Sequence, residues 1–351
     1  LNNDYPEAWY TDFDDPRLGG FDAGDFTKLD RLLEESGKGI ALFNRIDLAA
    51  GWIEFCDRKI RQGIKIVSTV SLETLLRLAK AERPDGTGAV PDIFSLRRLD
   101  LFSYNEFLSF THKPAGEQAV NEFLSRGAFP GLIKTGHTEA LHQLYTEILC
   151  KDAVIARGIR DRNTLQRMAL HLITNTGEPV TANKLREKLK IKAVSTAAEH
   201  MQCIETAGLV RFVSILSDNP ARQAVNPRKV YAVDTALAAA VSTAETVDRN
   251  KLFETMIFNH LCRESRSVCY TNEQGGCDFI ASDAEGGVRC IQACYDDDPD
   301  LMQTKTDGLL WALRQTGSSR GTIVTADRND RIDAENFEIE VIDADTFLGG
   351  Y

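Results

Sequence analysis

The chain has 351 residues, 43% hydrophobic and 26% charged, which suits an ordinary globular protein of two or three domains and excludes collagen-like, disulfide-scaffold and largely disordered chains. No uninterrupted apolar run approaches the roughly eighteen residues of a membrane span, so no spanning helix is expected. The net charge of −11 argues against a surface coated with nucleic-acid-binding charge, but it is unevenly spread. Residues 160–235 hold 12 Lys and Arg against 7 Asp and Glu, while residues 1–159 (19 against 24) and 236–351 (10 against 21) are acidic.

The chain opens at Leu1, not Met, on a polar stretch, so a trimmed N-terminus without a signal peptide is expected. Trp9–Phe13 alternates as a strand and breaks at Asp14-Asp15-Pro16. Phe26, Leu29, Leu32 and Leu33 recur at helical spacing, and Ser36-Gly37 ends that helix. Ile40–Phe43 is a short continuous apolar run, expected of a strand buried on both faces. A helix over Trp52–Ile60, a strand over Ile64–Val67, a helix over Leu72–Ala79, a loop over Arg83–Pro91 and a strand over Leu96–Leu101 complete a β-α-β-α-β-α-β order, the pattern of a parallel α/β sheet.

From Glu117 to about Ile173 the pattern is helical, interrupted at Gly127–Gly131. A compact block follows. Helices are expected over Leu165–Thr174, over Ala182–Leu189 capped by Thr181, and over Thr196–Ala207 capped by Ser195. Leu209–Leu216 and Lys229–Val233 then alternate as a hairpin around the polar loop Ser217–Arg228, and three helices with a two-stranded wing predict a winged helix. The last segment returns to α/β: a helix over Lys251–Cys262, strands over Ser267–Thr271, Cys277–Ala281 and Val288–Ala293, a helix over Leu301–Gln315, and strands over Gly321–Thr325 and Phe337–Ile342.

Little in the sequence points to catalysis. The eight cysteines contain no C-x-x-C and the six histidines no metal-binding pair, so reduced, mostly buried thiols in a cytoplasmic protein without a metal centre are expected. A phosphate-cradling loop needs a strand, then G-x-x-x-x-G-K-[ST], then a helix. Ser36-Gly37-Lys38-Gly39 runs from helix to strand and reads as a connecting turn. Ile40–Phe43 stands where nucleotide hydrolases deliver two acidic residues to Mg²⁺ and water, but the next residues are Asn44 and Arg45. Asn has no charge, and Arg repels the metal.

The strings Asp14-Asp15-Pro16-Arg17, Leu42-Phe43-Asn44-Arg45-Ile46-Asp47 followed by Gly51-Trp52, and Phe102-Ser103-Tyr104-Asn105-Glu106-Phe107-Leu108 resemble, in this order, a bacterial and archaeal family of AAA-type ATPases. The resemblance continues through Gly127-Ala128-Phe129-Pro130, Lys151-Asp152, Pro227–Asp234 and Cys277-Asp278-Phe279. It implies an α/β chain with a P-loop-type parallel sheet domain lacking its P-loop segment (1–112), a helical connector (113–160), a winged helix (161–235) and a restriction-endonuclease-like α/β domain (236–351). The family's paired acids fall on Asn44 and Arg45, its Gln on Asp47 and its sensor on Thr69 and Ser71. Asp47, Thr69 and Ser71 are thus the candidate nucleotide-binding residues. ATP and Mg²⁺ are implied only if a P-loop lies upstream of Leu1. The nuclease-like segment offers Glu254 on a helix and Asp278 at a strand start, but its last motif reads Gln292-Ala293-Cys294, without the carboxylate and Lys that such chemistry needs.

The expected role is therefore a non-hydrolysing binding or regulatory protein, inactive as ATPase and as nuclease, with a protein partner or a second copy of itself. Two alternatives stand beside it. One is an ATP-binding protein whose P-loop precedes Leu1; the other is weak, sequence-independent DNA binding. For the latter, Lys184, Arg186, Lys188, Lys190 and Lys192 cluster around the second helix of the winged block, with Arg222, Arg228 and Lys229 on the wing, while Glu199, His200, Gln202 and Glu205 make the third helix a poor phosphate-binding face. Arg97 and Arg98 are the nearest candidates for an arginine finger. The acid run Asp296–Asp300 reads as a solvated loop, and Met168, Leu172 and Ile173 as core.

Overall fold

Short apolar runs separated by amphipathic helices build the first part of the chain. The computed structural model describes residues 5–80, 94–135, 138–150, 159, 161–217, 219, 223, 226–242, 248–273, 275–296, 298–334 and 336–350. Strands β1 (Ala8–Asp12), β2 (Ile40–Asn44) and β3 (Lys65–Ser68) lie parallel in the order β1-β2-β3. They are linked by α1 (Phe26–Ser36), which Gly37 closes in the left-handed conformation that glycine adopts without strain, and by α2 (Trp52–Arg61); α3 (Leu72–Lys80) follows β3. Ala41 and Phe43 of β2 pack with Phe26, Leu29, Phe55 and Cys56, and Phe26 stacks on Phe55 at 4.4 Å between ring centroids.

The fourth strand expected at Leu96–Leu101 is not formed. Residues 94–100 have no regular structure and Leu99 is 97% exposed. An extended backbone would place Leu96, Arg98 and Asp100 on one face and Arg97, Leu99 and Leu101 on the other, so each face carries charge and neither is wholly apolar. Arg97 and Arg98 belong to this segment. The loop predicted over Arg83–Pro91 lies outside the described residues.

A second compact unit, Asp100–Tyr351, follows the first, Leu1–Leu99. It begins with helices α4 (Tyr104–Thr111), α5 (Glu117–Arg126), α6 (Pro130–Thr135), α7 (Thr138–Ile148) and α8 (Arg162–Thr174). Ser103 and Glu106 form a reciprocal capping box on α4. Next come β4 (Pro179–Val180), α9 (Ala182–Leu189), α10 (Val194–Thr206), β5 (Val210–Val213) and β6 (Arg228–Ala232), whose strands pair antiparallel in the order β4-β6-β5. Thr181 caps α9 as expected, accepting from the Lys184 amide at 3.1 Å. Ser195 does not cap α10: the helix starts one residue earlier with Ala193 at its N-cap, so Ser195 is already inside it. Ala197, His200, Met201 and Ile204 form the buried stripe of α10, which takes His200 off the exposed face expected for it.

The chain then runs through α11 (Thr235–Val241), α12 (Arg249–Glu264), β7 (Ser267–Cys269), β8 (Phe279–Ser282), β9 (Val288–Cys294), α13 (Pro299–Thr316), β10 (Arg320–Thr325), β11 (Asp330–Ala334), β12 (Phe337–Asp343) and α14 (Ala344–Gly349). Six strands form a mixed sheet in the order β11-β12-β10-β9-β8-β7, in which β9, β10 and β12 are parallel. Helix α12 is buried continuously from Leu252 to Phe258, and β9 from Cys290 to Cys294, as expected of central elements covered on all sides. The two sheets of this unit meet where Tyr270 bridges Ile215; the Tyr270 amide donates to Ser214 O at 3.1 Å and its carbonyl accepts from the Leu216 amide at 2.7 Å. One core runs from Tyr104 and Phe107 through Met168, Tyr231 and Phe258 to Phe347. The architecture is mixed α/β. Among the described residues, no helix is long and apolar enough to cross a membrane.

Candidate functional site

Strand alternation sends Lys229 and Tyr231 of β6 to the same side, with Val230 opposite them. That side meets α12, where Tyr231 stacks on Phe258 at 4.2 Å and donates its hydroxyl to Glu254 Oε1 at 2.6 Å. Lys229 Nζ donates to the same Glu254 oxygen at 2.9 Å and to Asp278 Oδ1 at 3.2 Å. Asp278 stands just before β8; its second oxygen accepts from the Ala293 amide at 3.1 Å and from Lys305 of α13. Two carboxylates and two ammonium groups thus converge, every side chain at most 17% exposed.

Gln292 completes the arrangement from β9. It is fully buried; its Oε1 accepts from the Asp278 amide at 3.0 Å, and its Nε2 donates to Gly276 O at 2.8 Å and to Lys305 O at 3.0 Å. With both donors spent on carbonyls, Gln292 fastens the loop before Asp278 to β9 and α13.

The charges sustain one another. Burial opposes ionisation of Asp278, but Lys305 and Lys229 outweigh it and hold the carboxyl well below the usual range. Burial likewise opposes the charge on Lys229, yet Glu254 and Asp278 hold its ammonium above the ordinary lysine range, and Asp278 and Glu254 do the same for Lys305. Burial and the neighbouring Glu254 keep Tyr231 protonated.

The motif pattern of the sequence groups Glu254, Asp278 and Gln292, and the fold brings them together. The two lysines escape that pattern. Lys229 is expected on a nucleic-acid surface, but its ammonium lies between Glu254 and Asp278. Lys305 belongs to no motif at all. The signal for Lys229 is its i, i+2 pairing with Tyr231 on a strand; for Lys305 nothing in the sequence sets it apart from Arg314, the other cation of its helix.

The candidate nucleotide residues also gather, at the carboxyl ends of β1–β3. Asn44 Nδ2 donates to Asp12 Oδ1 at 2.9 Å, and its Oδ1 accepts from the Thr69 hydroxyl at 2.7 Å. Arg45, in the left-handed conformation at φ 51°, donates its amide to Thr69 Oγ1 at 2.9 Å and its Nε to Asp47 Oδ1 at 3.2 Å. The other Asp47 oxygen accepts from the Ser71 amide and the Thr74 hydroxyl, both at 3.0 Å. Burial would raise the Asp47 carboxyl, but Ser71, Arg45 and Thr74 together hold it below the usual range. A hydrated Mg²⁺ does not fit this strand end: Asp47 is turned onto Arg45 and α3, and Asn44 is uncharged and already bonded to Asp12 and Thr69. Among the described residues, no group of three or more His, Cys, Asp and Glu side chains could hold a metal ion.

Of the basic residues on and after α9, Lys184, Lys188, Lys190 and Lys192 are exposed. Arg186 is half-buried on Asn183 and Glu187, and the Arg228 guanidinium lies 4.5 Å from the centre of the Phe212 ring. Arg222 lies outside the described residues.

Residues 117–248 match a family model, Domain of unknown function (DUF8612). The match runs from α5 past α11; it includes Lys229 and Tyr231 and stops before Glu254, Asp278, Gln292 and Lys305. No curated protein matches the chain.

Proposed function

We propose that this chain is a non-hydrolysing binding or regulatory protein related to the AAA-type ATPases, in which α8–α10 with β4–β6 act as a winged helix and the six-stranded sheet with α12 and α13 as a nuclease-like core without cleavage activity. The observation that carries the reading is the closed charge cluster: Lys229 and Lys305 neutralise Glu254 and Asp278, the carboxylates a metal-dependent nuclease would offer to Mg²⁺. The strand end at Asn44 and Arg45 argues the same way for phosphoryl transfer, because Asn44 brings no negative charge and spends its oxygen on Thr69, while Arg45 repels a cation and is no general base.

Three measurements test it. Isothermal titration with ATP and Mg²⁺, phosphate release, and incubation of plasmid DNA with Mg²⁺ or Mn²⁺ should give no Mg²⁺-dependent turnover and no nicking above background. Phosphate release abolished by Asn44→Ala or Arg45→Ala, or nicking abolished by Asp278→Ala, overturns the reading.

The exposure of Lys184, Lys188, Lys190 and Lys192 favours a second activity, weak clamping of a DNA backbone by α9 and the turn after it. Its signature is a steep salt dependence in a mobility shift, flattened by combining Lys184→Glu with Lys188→Glu. Unchanged binding by that double variant removes α9 from the contact surface.

A further inference from the structure

Where the three-stranded and six-stranded sheets of the second unit meet, a cleft of about 270 Å³ opens above the charge cluster. Pro179 and Pro227 supply apolar walls, Asn272 stands exposed at its margin, and Lys229 and Asp278 reach it from below. The glycine part of the lining is stiff. Gly275 and Gly276 take positive φ values of 88° and 75°, a Cβ on Gly276 would collide with Thr271 O while one on Gly275 would press on Thr304 O, and Gly276 O is tied to Gln292. The cleft is thus already formed in the folded chain.

Its chemistry is selective. An ammonium group has three N–H donors. Glu254 and Asp278 take two from Lys229, and no oxygen of the described residues takes the third. Among the described residues, Asp278 Oδ1 accepts only from Lys229 at 3.2 Å, so a donor and an acceptor stand side by side. This pair complements a ring edge that carries a carbonyl next to an N–H. The two ammonium and two carboxylate charges cancel, so a neutral ring leaves the balance intact, whereas an anion would face Asp278. Three residues after Pro179 the chain enters α9 with its exposed lysines, which suits phosphates attached to such a ring.

We infer that this cleft binds a single unpaired nucleobase of the lactam type, thymine or uracil, through Lys229 and Asp278. Cytosine and adenine carry the pair in the reverse order relative to the sugar, so they are disfavoured where a backbone along α9 fixes the side on which the sugar leaves; guanine shares the lactam pair but on a larger, fused ring. The base comes either from a free nucleoside or from a single strand whose backbone lies along α9. The inference goes beyond the non-catalytic reading and does not rest on it: turnover would sink that reading and leave base preference untouched.

The test is fluorescence anisotropy of the full chain with labelled oligo(dT), oligo(dC) and an abasic strand of equal length, with thymidine and deoxycytidine as competitors. Oligo(dT) is expected to bind about tenfold tighter than the other two, the worth of one well-paired base. Competition by thymidine and not deoxycytidine identifies a nucleoside site; preference confined to strands identifies a site fed by the backbone contact. Asn272→Trp and Pro179→Trp, which add bulk at two exposed lining positions without entering the core, should each erase the preference and leave the melting temperature unchanged. Combining Lys184→Glu with Lys188→Glu should weaken all three strands alike. Equal affinity for the three strands, no binding of oligo(dT), or a preference that survives both filled-cleft variants overturns the inference.

Discussion

Gln292 shows how one side chain can look like a lost catalytic group and serve another purpose. The resemblance drawn from the sequence expects a carboxylate at this position, which invites the substitution Gln292→Glu. The geometry argues against any gain: Nε2 donates to two backbone carbonyls, and a carboxylate there would set negative oxygens against both. Gln292→Glu is expected to lower stability by about 2–4 kcal/mol in urea denaturation and to give no DNA nicking with Mg²⁺ or Mn²⁺. Lys229 makes the complementary case. Lys229→Met leaves Glu254 without its ammonium partner and Asp278 with Lys305 alone, at an expected cost of about 3 kcal/mol. The pH dependence follows from the shifts. The depressed Asp278 carboxyl contributes stability above its unfolded value near pH 4 and loses it as pH falls through the folded value. The raised Lys229 contributes fully below its unfolded value of about 10 and loses that as pH rises through the folded value. The gap between the wild type and Lys229→Met should therefore be level between about pH 5 and 9 and close towards both extremes. A gap that grows in acid would place the stabilisation elsewhere.

At the scale of the element, α13 depends on a glycine. Gly308 faces the loop that carries Gly276, and a Cβ there would run into the Gly276 carbonyl and Gln292 Nε2. In an open helix Gly→Ala gains about 1 kcal/mol. Here the clash meets backbone, which cannot swing aside, so overpacking of about 1–3 kcal/mol decides the sign. Gly308→Ala is expected to lower the melting temperature; an increase would mean that the loop gives way easily. Asp234 performs a different task between elements, its two oxygens taking the Leu237 amide of α11 at 2.7 Å and the Ala128 amide at 2.6 Å. Burial pushes its carboxyl up to about 6, against the pull of those amides. Asparagine cannot stand in for it, since one of the two amides would face an NH₂ group.

At the scale of the molecule, each unit has a core of its own. Phe26, Phe43, Trp52 and Phe55 make the first, and the second unit holds a larger core from Tyr104 to Leu348 together with a second cluster around Cys277, Leu309 and Ile339. Residues 100–351 expressed alone are expected to unfold cooperatively and to keep their near-ultraviolet circular dichroism, because their buried charges find their partners within the fragment. A broad transition would show that this core needs the first unit.

The order of strands and helices was largely legible, because α1 repeats Phe26, Leu29 and Leu33 at helical spacing and β2 is a short continuous apolar run. The absent strand at Leu96–Leu101 offered no such pattern, since each face of an extended backbone there carries at least one charged residue. Elements α4, α11, β11 and α14 went unread: α11 and α14 are too short for a period to emerge, and the edge strand β11 carries little apolar signal. By itself the sequence determined which side chains follow β2 and line β9, and so that Asn44, Arg45 and Gln292 bring no carboxylate to those positions. Only the tertiary structure decided where the lysines go. Lys229 and Lys305 lie 76 residues apart in the chain and meet at Asp278, one from β6 of the three-stranded sheet and the other from α13, which packs on β9 of the six-stranded sheet, a convergence that local spacing does not encode.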